Sequence, residues 1–199
     1  MAPDGAGRRV RADAARNTDA LLAAARAVFA ASGVDAPVRE IAARAGVGVG
    51  TLYRHFPTRA DLVEAVFRHE IDACADAAPL LAAAGHGPLE ALTRWLRRYT
   101  DVIATKQGLA AALHSGDPAF DALPRYFDAR FRPALGALLA AAAQAGAIRA
   151  DVDVDDLLRA VANLSVGGAG VPAGHARRMV DLLVDGLRFR ADAPDPAAP

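Results

Sequence analysis

The chain has little with which to cross-link, to enter a membrane or to catalyse. Of its 199 residues one is cysteine, Cys74, and one is lysine, Lys106. A single thiol excludes an intrachain disulfide, fits a reducing compartment and is expected as a small buried apolar group. Long hydrophobic runs are missing too. The longest, residues 133–148, is shorter than the roughly 18 to 20 residues that span a bilayer and contains Gln144. It reads as a buried alanine-rich helix. No hydrophobic segment follows the opening MAPDGAGRRVRAD, so secretion is not indicated, and a soluble, cytoplasmic protein with no membrane partner is expected. Ser115, Ser165, Cys74 and the five histidines are scattered, with no nucleophile, base and orienting group at a recognisable spacing. His69 and Asp72 lie three apart on one expected helix but lack a third ligand. No enzyme, metal site or cofactor is therefore expected, and no alternating segment reads as a strand.

What is present is apolar surface and an uneven distribution of charge. Hydrophobic residues make up 53% of the chain, enough for a core, and the length suits one ordinary domain or a short one fused to a medium one. The formal net charge is zero, yet residues 1–60 hold nine arginines against five carboxylates, an excess that the remainder cancels. Such asymmetry suits a phosphate-facing module attached to one that does not touch nucleic acid.

Residues 37–56, PVREIAARAGVGVGTLYRHF, read as two short helices joined by a tight turn, the layout of a helix-turn-helix reader of the DNA major groove. Val38, Ile41, Ala42 and Ala45 stand at the i, i+3, i+4, i+7 spacing that buries one helical stripe. Gly46 supplies the turn, since a residue without Cβ takes positive φ at no steric cost. Val49, Leu52 and Phe56 share a face of the second helix, leaving Thr51, Tyr53, Arg54 and His55 pointing elsewhere. Gly46, Gly48 and Gly50 imitate a phosphate-cradling loop, but a helical stripe precedes them and the sixth position is Thr51, where a dinucleotide fingerprint needs Gly.

The string AGVGVGTLYRHFPTRADLVEAV, within a stretch covering roughly residues 14–66, resembles the TetR family of bacterial transcriptional regulators. By that resemblance Thr51, Tyr53 and His55 match positions that meet bases and phosphates, and Thr58 and Arg59 meet the DNA backbone from the start of the fourth helix, where free N–H groups attract phosphate. Gly48 stands where the family usually has Ser, an acceptable N-cap without a side-chain oxygen. Val49 replaces the usual Lys, which removes a phosphate contact and offers an apolar touch to a thymine methyl. Gly50 permits close approach to DNA. From its chemistry, Arg54 is the best candidate for bidentate reading of guanine, and Arg39, opening the second helix, suits either a base or a phosphate.

Around the reader, a first helix over about residues 17–32 carries the stripe Leu21, Leu22, Ala25, Val28 and Phe29, stopped by Gly33. Thr58 and Asp61 form a capping-box-like start to a long fourth helix carrying Leu62, Val66, Phe67 and Ile71. Breaks at residues 85–88, 115–118, 146–153 and 167–174 divide the rest into about five further helices. The expectation is an all-α protein of about nine helices. It comprises a disordered basic arm (1–13), a three-helix helix-turn-helix DNA-binding domain (14–66), a six-helix ligand-sensing and dimerisation domain (67–190) and a disordered Pro-rich tail (191–199).

In the second domain Leu92, Trp95, Leu96, Tyr99 and Ile103 form one helical stripe. Trp95 and Tyr99 have polar handles able to orient a ligand, so Phe67, Leu92, Trp95, Tyr99, Ile103 and His114 are candidate pocket residues, with ordinary core as the alternative. Arg130 is a further candidate anchor. The last two helices carry Leu157, Leu158, Val161 and Leu164, then Met179, Leu182, Leu183 and Leu187. The resemblance implies that two such helices from each subunit form a four-helix dimer interface. Dimerisation also follows because one short recognition helix contacts few base pairs. The expected partners are double-stranded DNA with a palindromic operator, a second copy of the chain and a small-molecule effector. The function implied is a transcriptional repressor released by an apolar or amphipathic ligand; a second domain that binds another protein is the alternative.

Overall fold

The computed structural model describes residues 5–166, 172 and 174–188, with side-chain surroundings from residue 17 onward. Among them are ten α-helices, a single 3-10 turn at Pro118–Phe120 and no strand. The basic arm expected over residues 1–13 is instead helical from Gly5, as the start of α1 (Gly5–Ser32). Between Gly7 and Gly33 the sequence has no glycine or proline and is rich in Ala and Arg, the residues that cost a helix least. The Pro-rich tail lies outside the described residues, as does most of the break at 167–174.

After α1 come α2 (Val38–Arg44), α3 (Val49–His55) and α4 (Arg59–Ala75). α4 stops at Ala75 and α5 (Ala77–Ala83) follows, a division not expected from the glycine pattern. Pro79 is its cause: a proline four residues after Ala75 offers no N–H to that carbonyl and clashes with it. α6 (Pro88–Gly108), the single turn α7 (Ala110–Leu113) and α8 (Leu123–Gln144) follow. The chain closes with α9 (Val154–Leu164) and α10 (His175–Arg188).

Two compact units arise. One comprises Met1–Glu70 with Thr105–Pro124, the other Ile71–Ala104 with Arg125–Pro199. In the first, α1 packs on α2 and α2 on α3. The stripe Leu21, Leu22, Ala25, Val28 and Phe29 is buried, as are Ile41, Leu52, Leu62, Val63 and Val66. An ion pair of 3.1 Å between Arg26 and Glu70 ties α1 to α4.

In the second unit α6 turns its buried stripe towards α8. The ring of Phe131 meets Trp95 edge-on with centroids 5.3 Å apart and Tyr99 likewise at 5.2 Å, the offset geometry that aromatic quadrupoles favour. Phe127 extends the cluster, 4.4 Å from Phe131. Beside it Tyr126 donates its hydroxyl to both carboxylate oxygens of Asp72, at 2.6 and 2.7 Å, and Arg130 bridges Asp72 and Asp76. α9 packs on α10. Arg97 and Asp101 of α6 pair with Asp181 and Arg177 of α10, and the Arg149 amide donates to the Leu187 carbonyl at 2.9 Å. Among the described residues no helix is long and apolar enough to cross a membrane.

Candidate DNA-reading interface

The reader is built from α2, its turn and α3. α2 buries Ile41 and Ala42 and ends in a Schellman motif: the Val47 amide donates to the Ala42 carbonyl at 3.0 Å and the Gly46 amide to Ala43 at 3.1 Å. That closure places Gly46 at φ +70°, where a Cβ would be strained. α3 then starts on the backbone of Gly48, whose carbonyl accepts from Thr51 and Leu52 at 2.9 and 3.2 Å. Gly48 supplies no side-chain cap.

α3 divides its seven residues sharply. Leu52, 1% exposed, and the C-capping Phe56 join the core. Tyr53 is 48% exposed, and Gly50, Arg54 and His55 also face solvent while Thr51 is half-buried. Val49, expected on the face of Leu52 and Phe56, is instead 40% exposed. It is the first residue of α3, one turn ahead of the core that Leu52 reaches. Arg39, in the first turn of α2, is exposed as well. The solvent face of the motif is therefore a tyrosine, two arginines, a histidine and a valine around a bare glycine backbone. Such a face offers hydrogen-bond donors, ring faces and one methyl patch to a partner rich in acceptors.

α4 opens behind this face with the expected box. Thr58 Oγ1 accepts from the Asp61 amide at 3.0 Å, and Asp61 returns a bond to the Thr58 amide at 2.9 Å. Thr58 is exposed and Arg59 half-buried. The guanidinium of Arg59 donates to the carbonyls of Val34 and Ala36, the second at 2.9 Å, a use of this side chain that the sequence did not suggest.

The candidate pocket residues divide between the two units. Phe67 and His114 belong to the first unit, whereas Leu92, Trp95, Tyr99 and Ile103 belong to the second. The latter four are 0 to 7% exposed. Trp95 donates its indole N–H to the Cys74 carbonyl at 2.9 Å and the Tyr99 hydroxyl reaches the Leu158 carbonyl at 3.4 Å. Burial also pushes the Tyr99 phenol well above its usual range, so it stays neutral. Both polar handles are thus engaged by backbone, as a core requires. His114 is exposed and its Nδ1 lies 2.8 Å from the Ala110 carbonyl one turn back. Arg130 is engaged by Asp72 and Asp76. Phe127 and Phe131 were missed, although their i, i+4 spacing on α8 was the available signal.

The carboxy-terminal leucines separate by face. Leu157, Leu158, Val161 and Leu187 are buried within the chain itself, which leaves them little surface for a partner. Leu164, Met179 and Leu183 are half-buried, and Leu182 and the neighbouring Val166 are each 63% exposed. On α10, Val180, Val184 and Leu187 face the core, Arg177 and Asp181 face α6, and Met179, Leu182, Leu183 and Gly186 form the remaining apolar side.

Residues 21–66 match the bacterial regulatory proteins of the tetR family, and residues 87–189 match the C-terminal domain described as transcriptional regulator SbtR-like. No curated protein matches the chain. Among solved structures it is similar to a TetR transcriptional regulator from Streptomyces coelicolor, with 40% identity and a TM-score of 0.75 over 87% of this chain and 99% of that one. It is similar also to a TetR transcription regulatory protein from Mycobacterium vanbaalenii, with 41% identity and a TM-score of 0.73 over 90% of this chain and 99% of that one. A third structure, described as the molecular basis for control of antibiotic production by bacterial hormones, is 28% identical with a TM-score of 0.59, over 87% and 94% of the two chains. With both halves matched and relatives of this identity aligned along nearly their whole length, the chain belongs to the TetR family of bacterial transcriptional regulators, DNA-binding proteins and not enzymes.

Proposed function

We propose that the protein is a homodimeric repressor that reads a palindromic operator through the exposed face of α3 and leaves it when a small apolar or amphipathic ligand binds the second unit. The observation that carries the reading is the exposed face of α3, with Tyr53, Arg54 and His55 around Gly50. A surface serving only solvation gains nothing from a half-exposed tyrosine ring beside a backbone stripped of side chain. In the major groove each has a use: Arg54 for the two acceptors of guanine, Val49 for a thymine methyl, and Thr51, Tyr53 and His55 for base edges and phosphates. Thr58 flanks this face for a backbone contact, and Arg39 for a base or a phosphate.

TetR-family regulators bind operator DNA and dimerise. Here the apolar side formed by Leu164, Val166, Met179, Leu182 and Leu183 supports pairing through α9 and α10, and Gly186 lets the facing helix come close. Two copies would present two α3 helices to half-sites about one DNA turn, or a multiple of it, apart. The ligand part of the reading is supported by the aromatic cluster on α6 and α8. Phe127, at its rim, is half-buried. Because Trp95 and Phe131 are fully packed, a ligand entering there must part α6 from α8, and so binds a shape different from the closed one. That differential affinity is what can shift a regulator off DNA. The hormone-linked relative lends support to a small-molecule effector.

The direct test replaces Arg54 with Ala and measures affinity for a duplex selected by the wild-type protein from a random library. The expected loss is about 1 to 3 kcal/mol with relaxed preference at one base pair of each half-site. Equal weakening on selected and random duplexes would make Arg54 a phosphate contact and remove the base-reading role.

A further inference from the structure

We propose that Arg59 is a positioning residue for DNA reading: its guanidinium clasps the loop between α1 and α2 and so fixes the direction in which α2, and α3 after it, leave α1. The inference rests on the reading of α3 as the DNA-contacting helix. Five residues, 33–37, join α1 to α2. Gly33 turns the chain at φ +78°, and Val34 and Ala36 sink into the core at 9% and 4% exposure. Their carbonyls precede α2 and lie outside its ladder, in a partly buried place where a backbone oxygen needs a donor. Arg59 supplies both, one from each terminal nitrogen.

Three features make this a device for orientation. First, α2 has no side-chain cap of its own at its first turn, where the N-cap is Pro37. Second, the clasp is mounted on a rigid base: Arg59 is the first residue of α4, whose start is closed by the Thr58–Asp61 box and whose Leu62 and Val63 are buried. Third, each accepting oxygen takes a bond from a different terminal nitrogen of one planar guanidinium, a fixed fork geometry that the point-like ammonium of a lysine does not reproduce. A cation whose task was to reach a phosphate needs none of this. Arg59 therefore acts on DNA through the loop it holds, and its influence on affinity is one of geometry and not of charge.

The experiment uses the full chain with Arg59→Lys and Arg59→Met. Hydrogen exchange of amides in residues 33–40, measured without DNA, is expected to quicken about tenfold in both variants, since both lose bonds from a charged donor. Affinity for the library-selected duplex should fall by a similar factor in both, at a temperature well below each variant's melting point. The dependence of log affinity on log salt should stay that of the wild type for Arg59→Lys and shift for Arg59→Met by much less than the roughly 0.9 that one lost phosphate contact removes. Full binding by Arg59→Lys, or a slope shallower by about one contact per half-site in Arg59→Met, would make Arg59 a phosphate ligand and overturn the proposal. So would unchanged exchange in the loop. If Arg59→Met does not fold, Arg59→Lys alone decides. An unaffected Arg54→Ala would instead remove the reading of α3 while leaving the exchange result in place.

Discussion

Two helices of this chain treat the same kind of side chain in opposite ways. α3 holds Tyr53 at 48% exposure with Arg54 and His55 beside it. α6 buries Trp95 completely and Tyr99 to 2%, packs both against Phe131 and engages the polar atom of each with a backbone carbonyl. Fully burying an aromatic or large aliphatic side chain is worth about 1.5 to 3 kcal/mol. α6 takes that gain for the fold, whereas α3 leaves much of it untaken. A lone exposed apolar residue needs no explanation. The cluster on α3 differs because its members share one face, a glycine bares the backbone between them, and a tight turn locked by Gly46 sets their direction. The chemistry of a side chain thus says little about its task until its surroundings are known.

The comparison breaks first at Trp95. Its replacement by Ala removes the centre of the aromatic cluster and the indole bond to the Cys74 carbonyl, so a loss of about 3 to 5 kcal/mol is expected in urea unfolding. A loss under about 1 kcal/mol would show the cluster to be loose, closer to a ready ligand pocket than to a core. Next comes Leu182, which is 63% exposed in the single chain. Leu182→Arg should leave the protomer folded and weaken dimerisation by about 3 kcal/mol or more, because a charge at a desolvated contact lacks a partner. Sedimentation at micromolar concentration reads the result, and a wild-type dimer fraction would place the interface elsewhere.

Much of the fold was legible because helical burial leaves a period in the sequence. The stripes on α1, α4 and α6 and the Gly46 turn each repeat a local rule, and the Thr58–Asp61 box is a pattern four residues long. What was not legible came from partners distant in sequence. Arg59 reaches back to Val34 and Ala36, and Tyr126 and Arg130 find Asp72 and Asp76 more than fifty residues away. Nothing local distinguishes these from solvated charges. The burial of Leu157, Leu158, Val161 and Leu187 was obscured for a related reason: a leucine-rich stripe signals a buried face but not whether the chain itself or a second copy covers it. On the reader side the surface residues are legible as a string, since one short helix carries them in sequence.

The smallest effect separates the two helices most cleanly. At Gly50 a built Cβ meets no heavy atom within 4 Å, and its φ is not in the left-handed region. Among the described residues nothing therefore requires glycine there, while glycine in a helix costs about 1 kcal/mol relative to alanine. Gly50→Ala should accordingly leave the DNA-free protein as stable as the wild type or raise its stability by up to about 1 kcal/mol. The same methyl, placed on the face that meets the major groove, should weaken binding to the selected duplex. Opposite signs for stability and affinity are the mark of a residue whose constraint lies outside the molecule, as no substitution in the Trp95 cluster would show. If Gly50→Ala gained stability and kept full affinity, the backbone of α3 would not approach DNA at this point, and the docking face would have to be redrawn around Val49, Tyr53 and Arg54.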